Sequence, residues 1–201
     1  MTPSPSTFVA FIRHGDTDWN RRGLIQGSSD IELDEEGRAT VAAWRVPPDL
    51  EGFDWLASPM KRAYQTAEIL AGRACPTDAR LVEMCWGGWE GRTIPDLRAE
   101  LGDLMKAWEA RGLDFQGPGG ESPRMVQDRI RPLLAEIAQA QRPVVAVAHR
   151  GVIRAVYAMA TGWDMVSRAS ERPRDDCAHL FALDANGLPR LHKFNIPLTE
   201  S

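Results

Sequence analysis

Three short apolar runs, at residues 8–12, 53–57 and 144–148, do most to constrain the fold of this 201-residue chain. Residues 8–12 show no polar alternation, the pattern of a strand covered on both faces rather than one with a wet side. Each run leads into a polar turn and then a helical pattern. After the first, Asp34 is placed to cap a helix reaching to about Arg45. After the second, Ser58 reads as an N-cap with Pro59 in the first turn, and Ala63, Thr66, Ala67 and Leu70 share a face. Ser122-Pro123 repeats the device, opening a helix with Val126, Ile130, Leu133, Leu134 and Ile137 inward. Pro132 inside that pattern predicts a kink or a break. The third run leads into Val152, Val156, Met159 and Ala160, and Gly162 closes that helix. Finally, residues 180–183 and 191–194 flank Asn186-Gly187, a hairpin signal. Strands alternating with helices predict an α/β fold. We expect a three-layer α/β/α sandwich with a mostly parallel central sheet and an antiparallel hairpin at one edge. At this length a single domain over residues 1–201 is the expectation.

The formal net charge of −4 argues against a nucleic-acid partner. No apolar run approaches the length of a membrane span. Residues 1–7 lack the basic and apolar regions of a secretory leader. The cysteines are Cys75, Cys85 and Cys177, an odd number without a C-x-x-C pair, which favours reduced thiols and a cytoplasmic protein.

In open α/β sheets, ligands bind beyond the carboxyl ends of the strands. The first run ends in Arg13-His14-Gly15, with Thr17 and Asn20 close behind; the second ends in Ser58, with Arg62 just after; the third ends in His149-Arg150-Gly151. Two histidines and at least two arginines thus converge on one rim. Guanidinium forks, a helix N-terminus and short polar donors describe an anion site, most naturally for phosphate. Neighbouring cations depress the pKa of an imidazole, leaving His14 free to act as a nucleophile near neutral pH. Gly15 lets the backbone come close and hold one ring nitrogen. Arg13, Arg62 and His149 supply charge stabilisation, and Glu83, ending a short apolar stretch before Gly87-Gly88, is the chosen proton donor. No His/Cys/Asp spacing resembles a metal-ligand set, and no cofactor is expected. The expected partner is a small-molecule phosphate ester.

Several other residues invite plainer readings. His179 and His192 are read as structural or exposed, and Glu35-Glu36 as favourable charge at a helix start. Glu90 either supports the loop of Glu83 or is a solvated charge. Arg21 and Arg22 touch substrate or lie in a solvated loop. The seven tryptophans are core by default, with Trp86 and Trp89 as alternative linings of the pocket mouth.

The same residues resemble the histidine phosphatase superfamily, the phosphoglycerate mutase-like proteins. The signature is Arg13-His14-Gly15-Asp16-Thr17-Asp18-Trp19-Asn20, and Gln26-Gly27 with Asp30 and Leu33 follows it. Ser58-Pro59 with Arg62-Ala63 and Thr66-Ala67 comes next, then Glu83 with Gly87 and Trp89-Glu90-Gly91. Gly119-Gly120-Glu121-Ser122 and His149-x-Gly151-Val152-Ile153-Arg154 complete the series. The resemblance implies that His14 is transiently phosphorylated and that Arg13, Arg62 and His149 bind the transferring phosphate. It also implies that Glu83 serves as acid and then as base, without a metal. Asn20, Thr17, Gln26, Gly27 and Arg150 are the expected substrate-binding residues. Asp16 stands where a longer Glu or Gln is common, and Arg150 where Gly is frequent. The loop reads Glu83-Met84-Cys85-Trp86, so the arginine and tyrosine typical of the mutases are missing, and residues 91–120 form a compact stretch. A phosphatase is therefore the leading expectation, with a phosphoglycerate mutase as alternative and a non-catalytic phospho-ligand sensor behind it. Sugar phosphates, phosphoglycerates, nucleotides and α-ribazole phosphate are the substrates that the resemblance offers.

Overall fold

The computed structural model describes residues 7–199; residues 1–6, most of the stretch read as lacking a leader, lie outside the described residues. The three apolar runs form β1 (Thr7–Arg13), β2 (Asp54–Ala57) and β3 (Val144–Ala148), and the tail forms β4 (Cys177–Leu183) and β5 (Pro189–Pro197). They make one sheet in the order β2-β3-β1-β4-β5. β3 is parallel to both β1 and β2, while β4 runs antiparallel to β1 and β5 to β4. The turn between β4 and β5 is held by Asp184, whose Oδ1 accepts from the amides of Asn186 and Leu188, with Gly187 at φ 80°.

Helices cover both faces. Side chains alternate along β1, so Val9 and Phe11 point to one layer and Ala10 and Ile12 to the other. The first layer is α6 (Pro123–Ala140) and α7 (Arg150–Thr161), which bring Val126, Ile130, Leu134, Val152 and Val156 onto Phe11, Ala146 and Phe181. The second is α2 (Glu35–Ala43) and α3 (Lys61–Ala71), which bring Val41, Ala63 and Ala67 onto Ile12, Val145 and Val147. The valine, leucine, isoleucine and phenylalanine side chains among these contribute about 1.5–3 kcal/mol each on full burial, so the two faces carry the fold. The short α1 (Asp18–Arg21) follows β1, and α4 (Ile94–Leu101) and α5 (Asp103–Glu109) close a small separate cluster around Trp89, Leu97 and Met105.

Three local expectations change. α3 starts at Lys61 rather than beside Ser58, because Met60 is the N-cap residue and the first helical amide, Lys61 N, donates 2.8 Å to Asp30 Oδ1 from another loop. Ser58 is thereby released for the site. α6 runs unbroken through Pro132, which is exposed, so the one carbonyl deprived of its helical partner sits on the wet face while the apolar face holds the helix together. Trp89 is core, 4% exposed, and Trp86 packs edge-on against Phe115 at 5.6 Å; neither lines the cavities beside His14.

Candidate active site

The register of β1 on β3 pairs Arg13 with Ala148, and the next amide, His14 N, donates 3.1 Å to the Ala148 carbonyl. The next residue on each strand is therefore a histidine. The rings of His14 and His149 lie 5.1 Å apart between centroids, both almost wholly buried. Ser58 is drawn in by its amide bond to the Val147 carbonyl at 2.9 Å, and its hydroxyl meets His149 Nε2 at 2.9 Å. Gly15 N donates 3.0 Å to Thr66 Oγ1, which ties the β1 turn to α3. A Cβ on Gly15 would collide with Val41 Cγ2, which explains the glycine.

His14 Nδ1 stands 2.6 Å from its neighbour's carbonyl, Gly15 O. A carbonyl has no proton to give, so Nδ1 carries the hydrogen and Nε2 keeps its lone pair. Burial first, then the Arg13 cation, the neighbouring His149 ring and the Arg62 cation, holds the His14 pKa well below 6.5. His149 is depressed in the same way, by burial and then by Arg62 and Arg13. Arg62 is wholly buried. Its Nη1 and Nη2 donate 2.8 Å and 2.9 Å to the carbonyls of Ser29 and Gly27, and its Nε has no protein partner among the described residues. A fixed, buried guanidinium with a free edge, next to a neutral imidazole, is a receptor for an oxyanion.

Glu83 reaches this group from the loop before α4. Its Oε2 accepts 3.2 Å from Gly151 N in the first turn of α7, and its Oε1 accepts 2.7 Å from Met84 N. Burial pushes its pKa up, against those two amides and the Arg62 and Arg13 cations. A carboxyl that keeps its proton can serve as a general acid.

The other expected residues fall in different places. Asn20 and Arg150 line a cavity of about 670 Å³ that opens from Arg13, together with Asp16, Arg21, Gly23, Leu24 and Asp175. Thr17 is fully buried and does not line that cavity: its hydroxyl accepts from Asn20 N at 3.2 Å and donates to Asn20 Oδ1 at 3.0 Å, which holds Asn20 in place. Gln26 and Gly27 sit on the Arg62 side. Gln26 Oε1 is buried without a protein partner among the described residues, and Gly27 at φ 53° directs its carbonyl at Arg62. Arg21 and Arg22 are both ion-paired, to Asp34 and to Asp18.

Sequence reasoning missed two supports, Arg129 and Asp175, and left Glu90 open between a support for the loop of Glu83 and a solvated charge. Arg129 in α6 donates 2.8 Å to the Val82 carbonyl and 2.9 Å to Glu121 Oε1, bracing the residue before Glu83. Asp175 meets Arg13 Nη1 at 3.2 Å. Glu90 accepts from the amides and hydroxyls of Ser28 and Ser29 and from Trp86 N, at 2.7–3.2 Å. For Glu90 the nearby Gly27 was the available signal, since a Cβ there would strike its carboxylate.

A sequence model of the histidine phosphatase superfamily (branch 1) matches residues 9–196. The chain belongs to the histidine phosphatase superfamily. Among superfamily members, glucosyl-3-phosphoglycerate phosphatase of Mycobacterium tuberculosis is 36% identical over 164 residues, covering 75% of this chain and 73% of that protein. Phosphoserine phosphatase 1 of Hydrogenobacter thermophilus is 30% identical over 165 residues, covering 78% and 77%. A solved structure of mycobacterial glucosyl-3-phosphoglycerate phosphatase complexed with VO3 superposes with a TM-score of 0.80 at 30% identity, covering 94% of this chain and 99% of that one. The mostly parallel α/β sandwich expected from the strand-helix alternation is the fold observed, and it is shared with this superfamily structure. Among the described residues no helix is long and apolar enough to cross a membrane.

Proposed function

We propose that the protein, as one domain over residues 1–201, is a phosphatase that hydrolyses small-molecule phosphate monoesters through a phosphohistidine on His14. The carrying observation is the His14 ring: Nδ1 is committed to the Gly15 carbonyl, so Nε2 is the free nucleophile amid Arg13, Arg62 and His149. In the first step a bond forms between Nε2 and phosphorus as the ester P–O bond breaks, and Glu83 gives its proton to the departing oxygen. In the second, the Glu83 carboxylate takes a proton from water, whose oxygen attacks phosphorus; phosphate leaves and His14 is restored. Arg13, Arg62 and His149 hold the equatorial oxygens throughout. Asn20, Gln26, Gly27 and Arg150 border the substrate, and Thr17 serves by holding Asn20. The activities in the relatives' names support the reaction class. The free thiols of Cys75, Cys85 and Cys177 suit a reducing, cytoplasmic setting.

The test is phosphate release from p-nitrophenyl phosphate with and without a chelator. Activity is expected to survive the chelator and to vanish in His14→Ala. Rapid quenching of the wild type is expected to trap an acid-labile, base-stable phosphoenzyme. Undiminished turnover by His14→Ala would remove the nucleophile from the proposal.

A further inference from the structure

The cavity beyond Arg13 is walled by charge that is already paired. Asp175, in the loop before β4, places Oδ2 3.2 Å from Arg13 Nη1 and takes the Arg150 fork on both oxygens, Nε at 3.2 Å from Oδ1 and Nη2 on Oδ2. Asp16 Oδ1 meets the same Arg13 nitrogen at 3.3 Å. Arg21, the remaining guanidinium on this wall, is held by Asp34 at 2.8 Å and Glu36 at 3.0 Å. Past the phosphate end, every guanidinium of the wall thus has a carboxylate partner. What the cavity offers a leaving group is acceptor oxygens on Asp16 and Asp175 and the amide of Asn20. Such a wall suits hydroxyl groups, which donate to carboxylates; it does not suit an incoming carboxylate, which finds no open fork.

We propose that Asp175 is a specificity-determining residue: by occupying Arg150 at the cavity wall, it favours phosphate monoesters of uncharged, hydroxyl-rich alcohols over esters whose alcohol carries a carboxylate near the phosphate. This rests on the phosphatase reading and names its substrate class. With the phosphate on Arg13, a carboxylate two or three bonds along the alcohol is brought toward Asp175, whose Oδ2 already stands 3.2 Å from Arg13 Nη1. In a half-wet cavity that repulsion is worth a factor of about 10 in kcat/KM. The screened part of it weakens with salt.

Glycerol 3-phosphate and 3-phosphoglycerate share a skeleton and differ in a hydroxymethyl against a carboxylate, which makes them the probes. Their kcat/KM values are measured on the full chain for wild type, Asp175→Asn, Asp175→Glu, Arg150→Ala and the double variant Asp175→Asn/Arg150→Ala. The wild type is expected to prefer glycerol 3-phosphate. Asp175→Asn shifts the ratio toward 3-phosphoglycerate by about 10-fold or more. Asp175→Glu keeps the wild-type ratio, and the double variant shows a smaller shift than Asp175→Asn, because the repulsion is gone from both while the freed Arg150 fork receives the carboxylate only in the single variant. A ratio that moves less than about 2-fold, or equal gains on both esters, overturns the assignment, the latter because Asp175 would then only compete with phosphate for Arg13. A wild type that prefers 3-phosphoglycerate overturns it as well. Release from neither ester nor from p-nitrophenyl phosphate overturns the phosphatase reading itself; retained p-nitrophenyl phosphate hydrolysis with an unmoved ratio overturns this inference alone.

Discussion

At His14, one backbone carbonyl selects a tautomer, and the surrounding cations keep the ring neutral, so the nucleophile is ready before substrate arrives. Glu83 is tuned the other way, with its proton retained by burial. These opposite displacements predict the pH profile of kcat/KM. The acid limb, from protonation of His14, lies below pH 6.5, and the alkaline limb, from loss of the Glu83 proton, lies above pH 4.5. Glu83→Gln should remove the alkaline limb and lower the rate on alkyl phosphates by about 10²–10⁴. The loss should be smaller on p-nitrophenyl phosphate, whose leaving group needs no proton. Gly151 sets the position of this acid, since a Cβ there would collide with Glu83 Oε1 and stand 3.2 Å from Met84 Cβ. Gly151→Ala is expected to lower kcat by roughly 10²-fold, the scale of a misplaced catalytic group, while thermal unfolding shows the fold retained.

Between elements, Glu90 is the clasp that joins the loop of Glu83 to the loop of Gly27 and Ser29, whose carbonyls hold Arg62. Its hydrogen bonds, with those of Arg62, link the acid to the phosphate receptor without either touching the other. Glu90→Ala should therefore lower kcat/KM by about 10-fold or more, since charged hydrogen bonds contribute about 1.5–3 kcal/mol each and their loss frees both loops. Steady-state kinetics on p-nitrophenyl phosphate reads this, and Glu90→Gln should recover part of it. A separate effect belongs to α6. Pro132 forgoes one helical hydrogen bond on an exposed face, so Pro132→Ala should raise stability by about 1 kcal/mol, or about 2–4 °C in Tm, with activity unchanged.

Across the whole molecule, the two-faced sheet buries three imidazoles in neutral form: His14, His149 and His179. His179 belongs to β4 itself, with its ring 4.5 Å from Phe194 of β5, and burial drops its pKa to about 4. Between the ordinary imidazole value of 6.5 and about 4, the unfolded chain binds a proton that the native chain refuses. Stability is thus complete above pH 6.5 and falls as the pH drops toward 4. The loss from His179 alone is about 3 kcal/mol, at about 1.4 kcal/mol per pH unit. His14 and His149 add to it, whereas Glu83, with its raised pKa, offsets a part in the same range. Chemical unfolding at pH 7 and pH 4.5 checks the sign, and His179→Phe should flatten the dependence.

The strands, the layer order and the converging Arg13, His14, Arg62 and His149 were legible in the chain because they rest on local signals. Unbroken apolar runs mark strands covered on both faces, and parallel strands deliver whatever follows them to one rim. The start of α3, the use of Ser58, the partners of Glu90 and the bracing of Val82 by Arg129 were not legible, since each partner lies far away in sequence: Asp30, His149, Ser28 and Val82. The pairing of Asp175 with Arg13 and Arg150 belongs to the same class. Periodicity and caps report contacts a few residues apart. Hydrogen bonds across loops follow only from how the packed layers bring distant segments together, and in this protein those bonds shape the leaving-group side of the site.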